Sequence, residues 1–497
     1  MKPIILLPAA YGKDSTQHSS CEGCDGDCAC ALPASYLQSA PLLVEAPQGW
    51  QPNRLRPAVQ FSTLPASEAF SVLTAPGTVS GWVVVNHAAL EVFRAFDCAG
   101  ETTDVSLPAM RDEDFLAAAY TFTQLGFLVS SDAVSLPAAP TSVSAPLEAW
   151  LFLTRACNLA CAHCFISKDP RQMTRETGLA AVERLFALAK NNNYSGVKIK
   201  YAGGEPTLRW DLVTALHERA DQLSRRYGLP LTEILVTNGA ALSRARLTYL
   251  QKYNIQLSIS LDGFGVGHDL QRPFVNGQPS FARIMHNLEM ALGMGLRPYL
   301  TITLTRLNLD DLPALTEFAL QTRLYLNWNF YRPHSAGDPL TPDAVSLTAA
   351  LRKGLEVVAS RLPDYPFLDR LIDRSNFGAA HQHTCGAGRH YLSIDYDGAV
   401  LPCHMLSGAN RVGIPLQTLS TARFENFANP AADEKPGCNQ CEWRYWCTGG
   451  CPILAGIVAG QANSRSPYCQ VYKAIYPALM ALKGKQLIQN LQAPVHA

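Results

Sequence analysis

Three cysteines with close, regular spacing are the residues best suited to chemistry. Cys157, Cys161 and Cys164 lie in the stretch TRACNLACAHCF, spaced C-x3-C-x2-C, directly after the apolar run EAWLFL, which is typical of a β-strand. Three thiolates on one short loop can hold three irons of a cubane iron–sulfur cluster and leave the fourth iron open to a ligand. A zinc knuckle is the alternative, but structural zinc normally takes four ligands, often from two C-x2-C pairs. The triplet alone therefore favours a cluster over zinc.

The segment after the triplet repeats a strand and helix pattern that would position such a cluster. Apolar runs rich in β-branched residues alternate with segments of helical period, as in βα units around a parallel sheet. The predicted strands are 148–154, 197–202, 232–237, 255–261, 297–304 and 324–330. A helical stripe between the first two strands consists of Leu179, Val182, Leu185, Phe186 and Ala189. The pattern predicts an α/β fold.

Distinctive residues follow the predicted strands, at the edge of the sheet where parallel α/β folds bind ligands. They are Gly203-Gly204-Glu205-Pro206 after the second strand, Ser260 at the end of the fourth, and His268, Asp269 and Arg272 just beyond it. The paired glycines would let backbone carbonyls approach a ligand amine, and the proline sets the turn. Each motif alone is also an ordinary turn, so the prediction depends on their conjunction.

Together the triplet and these motifs resemble the radical S-adenosylmethionine (SAM) superfamily. The resemblance implies a partial (β/α)6 barrel, SAM bound to the open iron, and an electron from the cluster that splits the sulfonium to give a 5′-deoxyadenosyl radical. It also implies that the glycine motif holds the methionyl amino group, that Ser260 contacts the ribose, and that Arg272 contacts the carboxylate. His163 corresponds to a position near the adenine. The implied SAM-binding positions are His163, Phe165, Gly203, Gly204, Glu205, Ser260 and Arg272.

Seven further cysteines follow a fixed spacing in the C-terminal part of the chain. The pattern is C-x12-G-x4-C, a gap, and C-x2-C-x5-C-x3-C-x17-C. The run YLSIDYDGAVLPC alternates like two strands about Asp397-Gly398, a pair that favours a tight hairpin turn and would bring Cys385 and Cys403 to one end of the hairpin. Disulfides or zinc are the alternatives, but residues 1–10 lack the apolar core and cleavage pattern of a secretory signal.

This spacing resembles the SPASM domain, which implies two auxiliary clusters and three [4Fe-4S] clusters in all. The implied ligands are Cys438, Cys441, Cys447 and Cys469 for one auxiliary cluster, and Cys385, Cys403 and Cys451 for the other. Full-set members have another cysteine six residues after the first, where this chain has Tyr391. That auxiliary cluster would then have an open iron, a smaller nuclearity, or a ligand from elsewhere such as His383.

Residues 55–130 are predicted to form a small separate domain. GWVVVNHAALEVFRAF gives a strand leading into a helix, and EDFLAAAYTFTQLGFLVS gives a second helix that ends at Gly126 before a short strand. This order resembles the winged-helix, PqqD-like peptide chaperone of pyrroloquinoline quinone synthesis and related leader-recognition (RRE) domains. The resemblance implies that an extended leader peptide adds as a strand to a sheet edge. The segment is crowded with acidic residues, which argues against DNA binding.

The remaining borders follow composition and motif positions. We expect a Cys-rich extension at 1–54, a Pro-rich linker at 131–147, the barrel at 148–360, the SPASM domain at 361–480 and a tail at 481–497. Candidate metal ligands in the extension, which is otherwise a flexible tail, are Cys21, Cys24, Cys28 and Cys30. The chain has 41 basic and 41 acidic residues, so nothing points to nucleic acid or to an anionic membrane. Such clusters need a reducing interior, which predicts a cytoplasmic protein.

These features predict a radical SAM/SPASM peptide maturase that acts on a ribosomally made precursor peptide, with a flavodoxin or ferredoxin as its reductase. Two auxiliary clusters suit an oxidative crosslink (a thioether, carbon–carbon or ether bond), because the substrate radical must then lose an electron. His404 stands where the related sulfatase maturases have an aspartate, and it is the candidate base. The alternatives are a sulfatase-maturase-like or other SPASM enzyme with a different substrate, and a non-enzymatic electron carrier.

Overall fold

The computed structural model describes residues 2–7, 42–52, 55–58, 61–76, 78, 81–97, 112–130, 145–378, 380–407, 413–419 and 427–492. The candidate ligands Cys21, Cys24, Cys28 and Cys30 and most of the predicted linker lie outside these residues. Within the described ranges, no helix has the length and apolar character needed to cross a membrane.

The N-terminal domain combines two small sheets with two helices. Its elements are β1 (Ile5–Leu6), β2 (Leu55–Pro57), β3 (Ser62–Pro65), β4 (Phe70–Thr74), β5 (Trp82–Asn86), α1 (His87–Ala95), α2 (Asp112–Gln124) and β6 (Leu128–Ser130). The main sheet is antiparallel with the order β1-β5-β4-β3, and β2 pairs separately with β6. The strand, two helices and terminal short strand agree with the sequence pattern. The winged-helix assignment stays a prediction.

The first residues of the chain complete the main sheet of this domain. β1 pairs with β5, and both of its residues are fully buried. The Asn86 side chain holds the segment, because its Oδ1 accepts from the Ile4 amide at 3.0 Å and its Nδ2 donates to the Lys2 carbonyl at 2.9 Å. The same oxygen caps the N-terminus of α1. The extension predicted over 1–54 therefore contributes a strand to the sheet.

The central domain alternates strands and helices. Its strands are β7 (Leu147–Phe152), β8 (Val197–Ala202), β9 (Leu231–Thr237), β10 (Gln256–Ser260), β11 (Tyr299–Leu304) and β12 (Leu326–Phe330). Its helices are α3 (Arg175–Asn191), α4 (Trp210–Tyr227), α5 (Arg244–Lys252), α6 (Val266–Gln271), α7 (Phe281–Gly293), α8 (Leu312–Gln321) and α9 (Ala344–Ser360). The strands are parallel in the order β12-β11-β10-β9-β8-β7. The six predicted strands and the α/β class with its partial barrel are confirmed.

Alternation along each strand separates the barrel cavity from the core. On β7, Trp150 and Phe152 line the cavity, whereas Leu151 points into the main apolar core. The predicted stripe of α3 packs into the same core, with Leu185 and Phe186 fully buried and Leu179 partly buried. The sheet thus has one face for the cavity and one for the covering helices.

The C-terminal domain continues the barrel sheet. Its elements are β13 (Tyr391–Ile394), β14 (Ala399–Leu401), β15 (Ile414–Pro415), α10 (Arg444–Cys447), α11 (Pro452–Ala459) and α12 (Cys469–Gln492). β13 and β14 form the predicted hairpin, in which Gly398 has φ +85°. β13 also pairs in parallel with β7, with Tyr391 opposite Glu148. The hairpin is therefore fixed directly beside the strand that leads into the cysteine triplet.

The long helix α12, near the C-terminus, packs against the N-terminal domain. It continues to Gln492 through the segment predicted as a tail from 481, and it packs against α9 and the N-terminal sheet. A Cβ placed on Gly484 would lie 2.5 Å from Val72 Cγ2, so the glycine lets the sheet approach the helix. Lys483 is buried beside it, pairs with Asp369 and lies 5.4 Å from the Trp82 ring. The predicted border at 481 thus falls inside a packed helix.

Candidate active site

The three cysteines of the triplet line one cavity at the carboxyl ends of the barrel strands. The cavity has a volume of about 210 Å³. The Leu159 amide donates to Cys157 Sγ at 3.4 Å, and Asn238 Nδ2 lies 3.8 Å from the same sulfur. Burial raises the pKa of the Cys157 thiol to about 12 and also raises that of Cys161, so these groups become thiolates when a metal replaces the proton. A half-buried triplet of this kind, open to one cavity, fits an iron–sulfur cluster.

Gly203 and Gly204 allow the end of β8 to lie against the cysteine loop. A Cβ on Gly203 would be 2.4 Å from the Thr154 carbonyl oxygen, and one on Gly204 would be 2.2 Å from the Ala156 carbonyl oxygen. The amide of Gly204 donates to Thr154 at 2.7 Å, and that of Glu205 donates to Ala156 at 2.9 Å. The close approach of two backbone segments thus explains the glycine pair, and both glycines also line the cavity.

Glu205 connects the ends of β8 and β9. Its buried carboxylate accepts from the hydroxyls of Thr207 and Thr237 at 2.5 and 2.6 Å and from the amide of Asn238 at 2.9 Å. Burial raises the pKa of this carboxyl in spite of its donors. The side chain is not among the residues that line the cavity. In this structure Glu205 orders the cavity wall, and a direct contact with SAM stays a prediction.

Arg272 and Asp262 form the charged pair of the site. Arg272 Nε donates to Asp262 Oδ2 at 2.6 Å, and Arg272 Nη1 lies 3.7 Å from Cys161 Sγ. The Thr303 amide donates to Asp262 Oδ1 at 2.9 Å and helps to fix the carboxylate. Burial alone would raise the pKa of Asp262, but the Arg272 guanidinium lowers it below its ordinary value. The pair places a fixed positive group beside the triplet, where a carboxylate ligand can be bound.

His163 lies against this pair, with Nε2 3.6 Å from Asp262 Oδ2. Burial and the nearby Arg272 lower the pKa of His163 to about 4, so the ring is neutral. Its Nδ1 is buried and has no hydrogen-bond partner in the part of the chain that the structure describes. A buried polar atom at the wall of a cavity is consistent with a bound ligand that completes the site.

Phe165 and Ser260 also line the cavity, as the predicted SAM positions require. Other lining residues are absent from the predicted site set, among them Lys168, Asn238 and Arg332. Asn238 does stand out in the sequence, in the Thr-Asn-Gly turn that ends β9, but that turn does not by itself indicate a role in the site. Arg332 follows β12 and pairs with Asp373 at 2.8 Å, a contact that no sequence pattern indicates.

His404 reaches the cavity from the C-terminal domain. It stacks on Trp150 of the barrel, with ring centroids 4.4 Å apart and planes inclined by 13°. Its Nδ1 forms a short hydrogen bond with the hydroxyl of Tyr391, which also accepts from the His404 amide at 3.2 Å. The position that would hold a cysteine in a full-set SPASM domain therefore carries a phenol that orients the candidate base.

The cysteines predicted to hold one auxiliary cluster are brought together. A small cavity is lined by Cys438, Cys441, Cys447 and Cys469, together with Gly449. Burial raises the pKa of the Cys447 thiol to about 12. No disulfide links the described cysteines. Over the described ranges, no group of three or more His, Cys, Asp or Glu side chains is arranged to hold a single metal ion.

The other predicted set is arranged around the hairpin. Cys385 and Cys403 are buried in one apolar cluster with Tyr391, and Cys451 is buried at the start of α11. His383, the alternative ligand, is partly buried and its Nδ1 lies 3.0 Å from the Asn429 carbonyl oxygen. The ligand set of this auxiliary cluster stays a prediction.

Comparisons with known proteins show what the chain is similar to. Residues 151–319 match the model of the Radical SAM superfamily. A PqqA peptide cyclase from Methylobacterium sp. (strain 4-46) is 26% identical over 361 residues, which cover 68% of this chain and 89% of the relative. The radical SAM cyclopropyl synthase TigE from Paramaledivibacter caminithermalis is 24% identical over 66% of this chain and 73% of its own length. A solved structure of anSMEcpe with bound AdoMet and peptide has a TM-score of 0.55 and 17% identity, and it covers 68% of this chain and 99% of that chain.

The chain is a radical SAM enzyme, with a parallel α/β barrel that carries the cluster triplet. Its cofactors are SAM and a [4Fe-4S] cluster, which Cys157, Cys161 and Cys164 would hold. The half-buried thiols, the Arg272 guanidinium beside them and the His163 Nδ1, which lacks a partner among the described residues, are a set of groups that fits both cofactors.

Proposed function

We propose that the protein is a radical SAM/SPASM peptide maturase that oxidatively crosslinks a ribosomally made precursor peptide. The observation that carries the proposal is the shared cavity. Its wall contains the cluster triplet, the predicted SAM-binding residues other than Glu205, and His404 from the turn after the C-terminal hairpin. The similarity to PqqA peptide cyclases supports a peptide substrate.

The chain's own residues would hold and orient the reactants. When bound, the cluster and SAM supply a carbon radical that abstracts hydrogen from the substrate. Arg272 would bind the SAM carboxylate, Ser260 would contact the ribose, and the neutral His163 ring and Phe165 would lie near the adenine. Trp150 and Phe152 give the cavity an apolar wall that excludes water from the radical step.

His404 would accept the proton released as the crosslink forms. Two auxiliary clusters on the C-terminal cysteines would accept the electron, which brings the total to three [4Fe-4S] clusters. The cavity of Cys438, Cys441, Cys447 and Cys469 supports one of them. A flavodoxin or ferredoxin in the cytoplasm would reduce the SAM-binding cluster.

Leader recognition would fall to the N-terminal domain, by addition of a strand to the sheet. The structure limits where this can occur. The β5 edge is already covered by β1, and the amide of Leu42 donates to the Ile5 carbonyl on the outer side of β1 at 2.7 Å. Among the described strands of this sheet, β3 is the other edge. We therefore propose that the leader pairs as an added strand with β3 (Ser62–Pro65).

The test is anaerobic reaction of the reconstituted protein with the small peptide encoded beside its gene. Each crosslink should lighten the peptide by about two hydrogens while SAM is consumed to 5′-deoxyadenosine. Iodoacetamide labelling then separates thioether formation from carbon–carbon or ether bonds. A full set of cubanes predicts about 12 Fe per chain. Modification of a sulfatase instead, or an unchanged peptide mass with one deuterium gained from heavy water, would overturn the crosslinking assignment.

A further inference from the structure

One buried lysine lies between the two sets of C-terminal cysteines. Lys435 has no exposed surface. Its ammonium donates to the Thr448 carbonyl at 2.7 Å, to the Gly450 carbonyl at 3.3 Å and to the Thr384 hydroxyl at 3.5 Å. Each of these acceptors is next in sequence to a predicted cluster ligand, namely Cys447, Cys451 and Cys385. The lysine thus contacts loops that belong to both predicted clusters.

The backbone around Lys435 is shaped to receive it. Thr448, Gly449 and Gly450 all have positive φ, at +48°, +76° and +72°. A Cβ on Gly449 would lie 2.6 Å from Lys435 Cδ, 3.2 Å from its Nζ and 3.1 Å from Cys438 Sγ. Three consecutive left-handed residues are costly for the threonine, and they turn two carbonyls toward the ammonium. The missing side chain of Gly449 leaves room for the lysine beside the sulfur.

Burial lowers the pKa of Lys435, and thiolates of both sets oppose this effect and favour the charged ammonium, namely those of Cys438, Cys447, Cys385 and Cys451. In a buried site the attraction between opposite charges is much stronger than in water. Reduction of an iron–sulfur cluster adds one negative charge, so a buried cation nearby favours the reduced state and raises the reduction potential.

We infer that Lys435 is a positioning residue that raises the reduction potentials of both auxiliary clusters and so suits them to accept the electron from the substrate radical. The inference rests on the proposed function, because it requires clusters on the C-terminal cysteines. A lysine that only ties loops together would have no effect on the potentials beyond its effect on cluster content.

The test is a redox titration of full-length reconstituted enzyme, followed by electron paramagnetic resonance. Lys435→Gln keeps a hydrogen-bond donor but removes the charge, and it should shift the auxiliary midpoints to lower potential. Lys435→Arg keeps the charge, so the midpoint potentials of its auxiliary clusters should stay near those of the wild type. The matched control is Lys473→Gln, because Lys473 also lies near the cysteines but is exposed to solvent, which screens it. Unchanged midpoints in Lys435→Gln at full iron content would overturn the inference.

A second measurement covers the case in which Lys435→Gln loses its clusters. Wild-type enzyme labelled with [15N]lysine should show a 15N hyperfine coupling to a reduced auxiliary cluster in pulsed spectra, and no such coupling should mean that the ammonium is not beside it. Absence of iron from the C-terminal cysteines in wild type would instead overturn the proposed function. The two failures are therefore distinguishable.

Discussion

Trp150 and His404 stack face to face across the boundary between the barrel and the C-terminal domain, with ring centroids 4.4 Å apart. β7 supplies the tryptophan, and the turn after the β13–β14 hairpin supplies the histidine. Because β13 pairs directly with β7, the strand register fixes both rings at the wall of one cavity. The candidate base is therefore held by the same sheet that holds the cluster loop.

We expect His404→Gln to lower peptide crosslinking by about 100-fold or more, because loss of a general base typically costs this much. SAM cleavage should continue, since His404 is not among the predicted cluster ligands or SAM-binding residues. Tyr391→Phe removes the hydroxyl that is hydrogen-bonded to His404, and it should lower peptide crosslinking by a smaller factor. Crosslinked peptide and 5′-deoxyadenosine are both quantified by mass spectrometry. The control is His334→Gln, at an exposed histidine; equal losses in the two variants would remove His404 from the reaction.

Asp262→Asn should weaken SAM binding by about tenfold or more, because charge-assisted hydrogen bonds contribute about 1.5–3 kcal/mol. The carboxylate fixes the Arg272 guanidinium through contacts at 2.6 and 3.2 Å, and the neutral amide would leave it free to reorient. Equilibrium dialysis of SAM against the reconstituted protein measures the effect. Asp310→Asn, at an exposed carboxylate, should bind SAM like wild type.

Gly204→Ala should prevent the protein from holding the SAM-binding cluster. The new Cβ would lie 2.2 Å from the Ala156 carbonyl oxygen, so the cysteine loop must move. We expect iron to fall by about four atoms per chain and 5′-deoxyadenosine formation to be lost. Gly293→Ala meets no atom within 4 Å and serves as the control. Full iron content in Gly204→Ala would show that the loop tolerates the extra atom.

Acidification should loosen the segment around His268. Burial lowers the pKa of this histidine from 6.5 to about 4, and its Nδ1 accepts from the Asp262 amide at 3.2 Å. Between these two values the unfolded chain binds a proton that the folded chain does not, so stability is present above pH 6.5 and is lost as the pH falls toward 4. The full pKa shift corresponds to a loss of about 3 kcal/mol in the free energy of unfolding.

His268→Gln keeps an acceptor but does not titrate, so it should flatten this dependence. Hydrogen exchange of the peptide spanning 256–272, measured at several pH values and corrected for the intrinsic rate, reports the difference. The same loss of protection in variant and wild type would assign the acid sensitivity to other groups.

Gly484→Val should separate the N-terminal sheet from α12, because even a Cβ at this position would lie 2.5 Å from Val72 Cγ2. Hydrogen exchange over 70–86 should rise, and crosslinking of the full-length precursor should fall, while SAM cleavage without peptide stays at the wild-type level. Gly456→Val, at a glycine with nothing within 4 Å, is the matched control. If crosslinking survives a loosened sheet, docking of this domain is not needed for substrate delivery.

The sequence by itself determined the local features of the protein. Hydrophobic alternation located the six barrel strands, the hairpin and the stripe of α3, because side-chain periodicity within an element is a local property. Cysteine spacing likewise identified the triplet and the C-terminal sets, since ligands of one cluster are often close in sequence. The sequence also marked Gly203 and Gly204 as a distinctive pair. The structure shows why glycine is needed at both positions: the backbone packs closely against residues 154–156.

Only the tertiary structure decided which distant residues meet. Four examples are the parallel pairing of β13 with β7, the contact of Tyr391 with His404, the hydrogen bond from Thr237 to Glu205, and the place of Lys435 between two cysteine sets. Each of them joins segments far apart in sequence. β1 joins β5 from the opposite end of its domain, and α12 continues past 481 because it packs on that sheet. Such pairings depend on strand register and helix packing across the whole chain, and local periodicity does not specify either of them.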